Sequence, residues 1–422
     1  MAARPGPDLA TAGYLETEWS VAGTAPSYAA DDLPADGCWS LSRADQADFV
    51  TRAMLRRPAD PAAFSGTLVA EWLNVSSGAD AAPDWTYLAD EIVRRGHAWV
   101  GISAQHVGVE GGSSAVGELG LGPLKADERY AALHHPGDAF AYGIFTEVVA
   151  ALDRIGPVQD LEVDRRLAIG ESQSAYALTS YVNGVHPIAP FFDGFLIHSR
   201  GGAAMPLGEP GRGLDLATVR DGPPTRIRDD LDVPVIIVQT ETDLLGRLDY
   251  LPARQPDGER IRLWEIAGAA HADKFQIGEF EDFLGCPDPV NRGQQAYVVR
   301  AALRHLDAWA RGGEAAPTAA RLAVQDRAFV LDDAGNATGG VRTPVVDAPV
   351  EVLSGLADPG ASAICGLFGT TRSLAAADLA RLYPGGDADH RAAYERATDA
   401  AIAAGFMLAD DRAEILSERR TP

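Results

Sequence analysis

One short stretch constrains the fold of this chain more than any other: an apolar strand that runs directly into Gly170–Ser174 (Gly-Glu-Ser-Gln-Ser) and then into a helix-forming segment. Small residues two positions on either side of Ser172 are typical of a nucleophile elbow, although Ser174 stands where that motif usually has a second glycine. They must be small because the serine lies on a sharp, strained turn. Such a turn lifts the hydroxyl out of the sheet and directs the helix N-terminus at a developing oxyanion.

The same pentapeptide has a simpler interpretation. Ser172 also fits a helix N-cap after an ordinary strand-to-helix turn, in which the hydroxyl accepts a backbone N–H of the first helical turn. The pentapeptide alone leaves both interpretations open. The order of other reactive side chains along the chain favours the nucleophile.

Composition excludes several classes of protein. The 422 residues are 46% hydrophobic, which is ample for a large core. With 36 basic and 60 acidic residues the net charge is −24, so nucleic acid and anionic membranes should repel the chain. The first 17 residues do not resemble a signal peptide, and no run of 18 apolar residues exists. We therefore predict a cytoplasmic protein with no nucleic-acid or membrane partner, and leave a homo-oligomer open.

Neither cysteines nor histidines predict a metal or cofactor. Cys38, Cys286 and Cys365 are far apart and form no CxxC pair, which argues against a zinc cluster or a disulfide framework and leaves a single disulfide open. The adjacent His134 and His135 point in different directions and lack a HExxH-like partner. We expect no metal and no cofactor.

Alternating strands and helices predict an α/β fold. A first strand is predicted over 18–22, and short apolar runs that read as strands recur on both sides of the elbow, at 66–73, 97–103, 193–198, 233–239 and 260–266. Helices are predicted from Asp84, as N-cap, to Arg95, from His134 to Arg154, and over 291–311. This pattern indicates an α/β architecture with a doubly wound, mostly parallel sheet.

Two long loops and a C-terminal extension complete the predicted organisation. Residues 104–136 and 199–231 are long and rich in glycine or proline, and we expect these cap-like loops to form the roof of a pocket. We assign 1–316 to the hydrolase core with its N-terminal arm. Residues 317–422, with short strands at 322–331 and 341–353 and two late helices, form an extension packed on the same domain.

Three reactive side chains follow strands in the order serine, acid, histidine. Ser172 is followed by Asp243, past the strand at 233–239, and then by His271, past the strand at 260–266. This is the order of the α/β-hydrolase triad, and parallel strands bring such strand ends to one edge of the sheet. His305 and His390, which also follow the acid, fall in helices. We therefore predict Ser172, Asp243 and His271 as catalytic residues.

Two points of this site stay open in the sequence. Glu241 is two residues nearer the strand than Asp243 and is the alternative acid. The oxyanion should bind the N–H that follows the nucleophile, on Gln173, together with an N–H from the loop after the strand at 66–73. That second donor is predicted to be the N–H of Val75 or, alternatively, that of Ser76.

The chain resembles the bacterial and fungal α/β-hydrolase-domain-containing proteins, an outlying branch of the α/β-hydrolase superfamily. The matching stretches are 14–19, 21–25, 71–75, 83–85, 135–138, 170–174, 240–243, 268–273, 339–344 and 365–369. Because they span nearly the whole chain, the resemblance implies that 317–422 belongs to the same domain. The resemblance implies the α/β-hydrolase fold and the type of reaction, and it says less about the substrate.

These observations predict a carboxylesterase-type serine hydrolase that acts on a small-molecule ester through an acyl-enzyme. An acyltransferase, thioesterase or lactonase would use the same triad. A non-catalytic binding protein on a hydrolase fold is the alternative from a different class, although such proteins commonly lose the serine or the histidine.

Overall fold

A computed structural model describes residues 6–115 and 122–422 of the chain. The sheet at its centre has eight strands in the order β1-β2-β4-β3-β5-β6-β7-β8. These strands are β1 (Tyr14–Ala29), β2 (Ser42–Pro58), β3 (Thr67–Trp72), β4 (Ala98–Ile102), β5 (Arg165–Glu171), β6 (Gly194–His198), β7 (Val235–Thr240) and β8 (Ile261–Ile266). From β4 to β8 all neighbours are parallel, while β1 and β2 form an antiparallel edge. The predicted mostly parallel sheet is confirmed.

Helices connect and cover the strands. In chain order they are α1 (Pro83–Arg95), α2 (His106–Glu110), α3 (Ala141–Ile155), α4 (Gln173–Ser180), α5 (Leu216–Val219), α6 (Glu241–Leu245), α7 (Lys274–Ile277), α8 (Gln295–Ala310), α9 (Pro344–Asp347), α10 (Cys365–Phe368), α11 (Ala376–Leu382), α12 (Asp387–Ala403) and α13 (Arg412–Ser417). Across the described ranges, no helix has both the length and the apolar composition that a bilayer span requires.

The strands are continuous apolar runs because both faces of the sheet are buried. In β7, Val235 and Ile237 pack into the core on one face, and Ile236 and Val238 pack into the core on the other. Each such side chain contributes about 1.5–3 kcal/mol on full burial. The sheet is thereby fixed in register, and the carboxyl ends of β5, β7 and β8 meet at one edge.

Three expectations about individual elements are wrong. The strand predicted around 18–22 is much longer, and its partner β2 was not predicted. Asp84 does not cap α1: the N-cap is Ala82, and the Asp84 carboxylate contacts His198 instead. Residues 341–353 are not a continuous strand, since they contain α9 before β11 (Glu351–Ser354), which pairs with β12 (Thr370–Ser373).

The C-terminal residues contact the core at several points. A second small sheet pairs β9 (Val324–Gln325) with β10 (Ala328–Phe329). The buried guanidinium of Arg300 on α8 forms ion pairs with Asp411 at 3.2 Å and Glu414 at 2.9 Å. A disulfide joins Cys286 to Cys365. The boundary at 316/317 stays a prediction.

Candidate active site

The turn between β5 and α4 places Ser172 in a conformation that L-residues rarely adopt. Its φ is 60° and its ψ is −119°, and such backbone strain costs on the order of 1–3 kcal/mol. The Ser172 N–H donates to the carbonyl of His198 on the next strand, at 2.9 Å. A Cβ on Gly170 would come within 3.1 Å of Leu178 and 3.2 Å of Ser174, which explains the need for a glycine there.

The structure brings the three residues predicted as a triad together. Nε2 of His271 lies 2.9 Å from Oγ of Ser172, and Nδ1 of His271 lies 2.8 Å from Oδ1 of Asp243. The other oxygen of Asp243 accepts the N–H and the hydroxyl of Thr240 at 2.7 and 2.8 Å. Asp243 is completely buried, so its carboxylate is fixed toward the imidazole.

Glu241, the alternative acid, lies elsewhere. One carboxylate oxygen accepts the N–H of Gly268 at 2.6 Å, and the other accepts the N–H of Gly355 at 2.8 Å. Burial raises the pKa of Glu241 to about 7, and these two N–H donors act against that rise. Glu241 thus connects the loop that carries His271 to the C-terminal segment, while Asp243 makes the contact with the imidazole.

A second carboxylate approaches His271 and was not considered in the sequence analysis. Oε1 of Glu171 lies 3.4 Å from Nε2 of His271, the nitrogen that also faces Ser172. Burial raises the pKa of Glu171 to about 7, and the neighbouring His271 and His198 act against that rise. The signal in the sequence was an ionisable residue directly before the serine of the elbow.

The imidazole of His271 has a raised pKa. Burial by itself lowers the pKa, but the charge of Glu171 and the hydrogen bond and charge of Asp243 more than offset burial. The protonated form of His271 is therefore stabilised from both of its ring nitrogens. A base used in acyl transfer benefits from this stabilisation, because it must carry the proton through the transition state.

Another buried imidazole–carboxylate pair lies behind the site. Nδ1 of His198 lies 2.8 Å from Oδ1 of Asp84, and both side chains are fully buried. Asp84 and Glu171 raise the pKa of His198 against the effect of burial. His198 is the last residue of β6 and lies directly beside Glu171 in the sheet, so its charge acts on the Glu171 carboxylate.

The predicted oxyanion donors lie on both sides of the turn. The N–H of Val75 donates to Oε1 of Gln173 at 3.2 Å, and the N–H of Ser76 donates to Oδ1 of Asn74 at 2.8 Å. Gln173 is the first residue of α4, and N–H groups in the first turn of a helix lack acceptors within the helix. Their role in oxyanion binding stays a prediction.

The larger of two cavities at Ser172 has a volume of about 450 Å³ and includes His271 and Glu171. Most of its wall is apolar, and the large apolar side chains come from two segments distant in sequence. These residues are Ile277, Phe280, Phe283, Leu284, Ile364, Leu367 and Phe368. The disulfide between Cys286 and Cys365 joins the two segments, and the Ala272 N–H donates to the Leu367 carbonyl at 3.0 Å.

The smaller cavity has a volume of about 60 Å³ and lies between Ser172 and the loops predicted to form a roof. Ala115 comes from one loop, and Leu216, Val219 and Arg220 come from the other. Residues 116–121 of the first loop lie outside the described residues. The assignment of both loops as a cap stays a prediction.

One group of potential metal ligands lies away from this site. Cys38, Asp229 and Asp230 offer ligand atoms within 4.8 Å of one another, and all three residues are exposed. Exposed acidic groups commonly cluster in this way without an ion. Neither cavity at Ser172 includes any of them.

The sheet order and the strained serine turn define an α/β-hydrolase fold. A family model described as "Alpha/beta hydrolase domain" matches residues 1–417, and the chain belongs to this family. No curated protein matches the chain.

The solved structures to which this chain is similar are distant from it. They include an alpha-beta serine hydrolase homologue from Coxiella burnetii (13% identity, 53% of this chain and 84% of that one, TM-score 0.31). A thermostable esterase from Pseudomonas putida is 11% identical to this chain, and the match covers 61% of this chain and 74% of the esterase, with a TM-score of 0.31. The acylaminoacyl peptidase of Pyrococcus horikoshii is 10% identical to this chain, and the match covers 65% of this chain and 41% of the peptidase, with a TM-score of 0.33.

Proposed function

We propose that this protein is a carboxylic-ester hydrolase in which Ser172 is the nucleophile, His271 the general base and Asp243 the triad acid. The observation that carries the proposal is the continuous contact from Ser172 Oγ through both ring nitrogens of His271 to Asp243, at 2.9 and 2.8 Å. A plain helix N-cap would not explain it, since the Ser172 side chain caps no helical N–H.

Acylation begins when Ser172 Oγ attacks the ester carbonyl carbon and its proton moves to His271 Nε2. Asp243 accepts the hydrogen bond from Nδ1–H, which fixes the tautomer and stabilises the imidazolium. When the tetrahedral intermediate collapses, the bond to the alcohol oxygen breaks and the proton on Nε2 passes to that oxygen. The alcohol leaves, and an acyl ester remains on Ser172.

Deacylation repeats these steps with water. His271 takes a proton from the water, the hydroxide adds to the acyl carbon, and the proton returns to Ser172 Oγ as the acid leaves. In both half-reactions the Gln173 N–H binds the oxyanion. The Val75 N–H joins it once the Gln173 side chain, now its acceptor at 3.2 Å, yields to the negatively charged oxygen.

The apolar walls of the larger cavity favour an ester with an apolar group on one side of the reacting bond. A volume of about 450 Å³ lies within the range of small-molecule sites. Phe283 lines this cavity and is 85% exposed, so substrate can reach the cavity from solvent.

A panel of p-nitrophenyl esters tests the proposal. Ser172→Ala should lose turnover of every ester that the wild type hydrolyses. Ser77→Ala is the matched control, because Ser77 lines the same cavity and its hydroxyl donates to Ala79 rather than to His271. Equal turnover in wild type and Ser172→Ala would refute the proposal. Added alcohol or thiol acceptors separate hydrolysis from acyl transfer.

The cytoplasmic location remains part of the proposal. Disulfides are uncommon in reducing compartments such as the cytoplasm, so the Cys286–Cys365 bond argues against this location. Cell fractionation, followed by trapping of free thiols in the fraction that contains the protein, tests the location and the presence of the disulfide together.

A further inference from the structure

Two arginines line the smaller cavity beside Ser172. Ser172, Gln173, Arg220 and Arg247 all line this cavity. Its remaining wall is mainly apolar and is formed by Tyr176, Leu216, Val219, Leu248 and Leu367. A basic pair at this point is notable in a chain with a net charge of −24.

Neither guanidinium has a strong anionic partner. Arg220 pairs with its sequence neighbour Asp221 at 3.4 Å, and the two side chains are 34% and 71% exposed. Ion pairs as exposed as this one contribute little interaction free energy, because solvent screens both charges. Within 6–115 and 122–422, no carboxylate lies at ion-pair distance from Arg247.

The two cations also repel each other. Burial lowers the pKa of Arg247, and the nearby charge of Arg220 lowers it further. An anion between the guanidiniums would relieve this repulsion, and carboxylate geometry matches the guanidinium fork. The larger cavity at Ser172 is lined by no lysine or arginine among the described residues, and it contains His271 and the Glu171 carboxyl group. The two cavities at the nucleophile therefore differ in charge.

We propose that the site selects esters that carry a short anionic arm, such as a carboxylate, on the side of the reacting bond that faces Arg220 and Arg247. This inference rests on the proposed ester hydrolysis at Ser172. A volume of about 60 Å³ admits only a small group, since one water in the liquid takes up about 30 Å³. A two-carbon arm ending in a carboxylate fits this description, with the apolar group of the ester in the larger cavity.

The test compares two esters of the same shape. Monobenzyl succinate carries the carboxylate, and benzyl 4-methylpentanoate replaces it with an isopropyl group. Release of benzyl alcohol gives kcat/KM for both. We expect the wild type to prefer the succinate ester by at least about tenfold, the scale of a charge-assisted hydrogen bond, and the preference to fall with added salt.

Variants assign the preference to the arginines. Arg247→Gln and the double variant with Arg220→Gln should lose most of it, through a rise in KM for the succinate ester, so that the ratio of kcat/KM between the two esters falls toward one. Arg391→Gln is the control, because Arg391 lies on α12, is 61% exposed and lines neither cavity. Calorimetry on Ser172→Ala gives an independent binding readout, with tighter binding expected for the succinate ester.

The outcomes are distinct. Ser172-dependent hydrolysis of both esters with no preference, or a preference that survives in the double variant, would overturn this inference and leave the proposed function standing. If neither benzyl ester is hydrolysed by an enzyme that shows Ser172-dependent turnover of p-nitrophenyl esters, this inference alone is overturned. Absence of Ser172-dependent hydrolysis of the benzyl esters and of the p-nitrophenyl panel would overturn the proposed function, and this inference with it.

Discussion

Glu171 Oε1 lies 3.4 Å from His271 Nε2, on the side of the imidazole that faces Ser172. The base therefore has a carboxyl group at each ring nitrogen, with Asp243 at Nδ1. Since Glu171 is buried and its pKa is raised to about 7, its own charge changes near neutral pH. Protonation of the pair Glu171–His271 is consequently coupled.

Glu171→Gln should move the acid limb of the pH profile. The charge of Glu171 raises the pKa of His271, so its removal lowers that pKa. Because the neutral imidazole is the active base, kcat/KM should then rise with pH at a lower pH than in the wild type. The measurement is kcat/KM against pH for a neutral ester. A limb that stays in place, or moves to higher pH, would show that Glu171 does not act on His271.

The two candidate acids should respond differently to amide substitution. Asp243→Asn removes the charge at Nδ1 and should lower kcat by about 10⁴-fold, as in other serine triads. Glu241→Gln retains one acceptor for the N–H groups of Gly268 and Gly355, so it should lower the melting temperature more than kcat. The reverse pattern would transfer the role of the acid to Glu241.

The Cys286–Cys365 disulfide should stabilise the wall of the larger cavity. Cross-links of this kind contribute about 2–4 kcal/mol to stability, and this one joins segments that are 79 residues apart. Replacing both cysteines with serine should lower the melting temperature and raise KM for bulky esters more than for acetate esters. Cys38→Ser is the control, since Cys38 is free and exposed. Identical melting curves for the double variant and the wild type would contradict this role.

The apolar wall should determine the size of the accepted group. Ile364→Trp would fill part of the larger cavity, so kcat/KM for benzyl or long-chain esters should fall at least about tenfold, as for other misfits in tight sites, while methyl acetate should be little affected. Ile188→Trp is the control, because Ile188 is 41% exposed and lines neither cavity. An equal loss for small and large esters would point to general damage instead.

The parts of the fold that were predicted correctly are those with local signals. The strands β5, β6, β7 and β8 are apolar runs bounded by turn residues, and the Gly170–Ser174 pattern is contained in five neighbouring residues. Strand β2 lacks such a signal. Phe49, Thr51, Ala53 and Leu55 are buried, but Arg52 lies between two of them and Arg56 follows the last. The Arg56 guanidinium lies over Trp85 at 4.1 Å, a contact that no local pattern indicates.

The parts that were missed depend on contacts between distant residues. Asp84 was interpreted as a cap, but its carboxylate contacts His198, 114 residues away. The approach of Glu171 to His271 joins positions 100 residues apart. The apolar wall requires α7 and α10 to meet, which depends on pairing of backbone groups and on a disulfide. One sequence by itself carries no local pattern that reveals which distant residues come into contact.

The most direct test of the central claim is a stopped-flow measurement with p-nitrophenyl acetate on wild type and Ser172→Ala. If Ser172 forms an acyl-enzyme, the wild type should release a burst of about one equivalent of p-nitrophenol per chain, with the acetyl group found by mass spectrometry on Ser172. The variant should give no burst and no turnover above background. Turnover that survives in Ser172→Ala, or an acetyl group on another residue, would contradict the account.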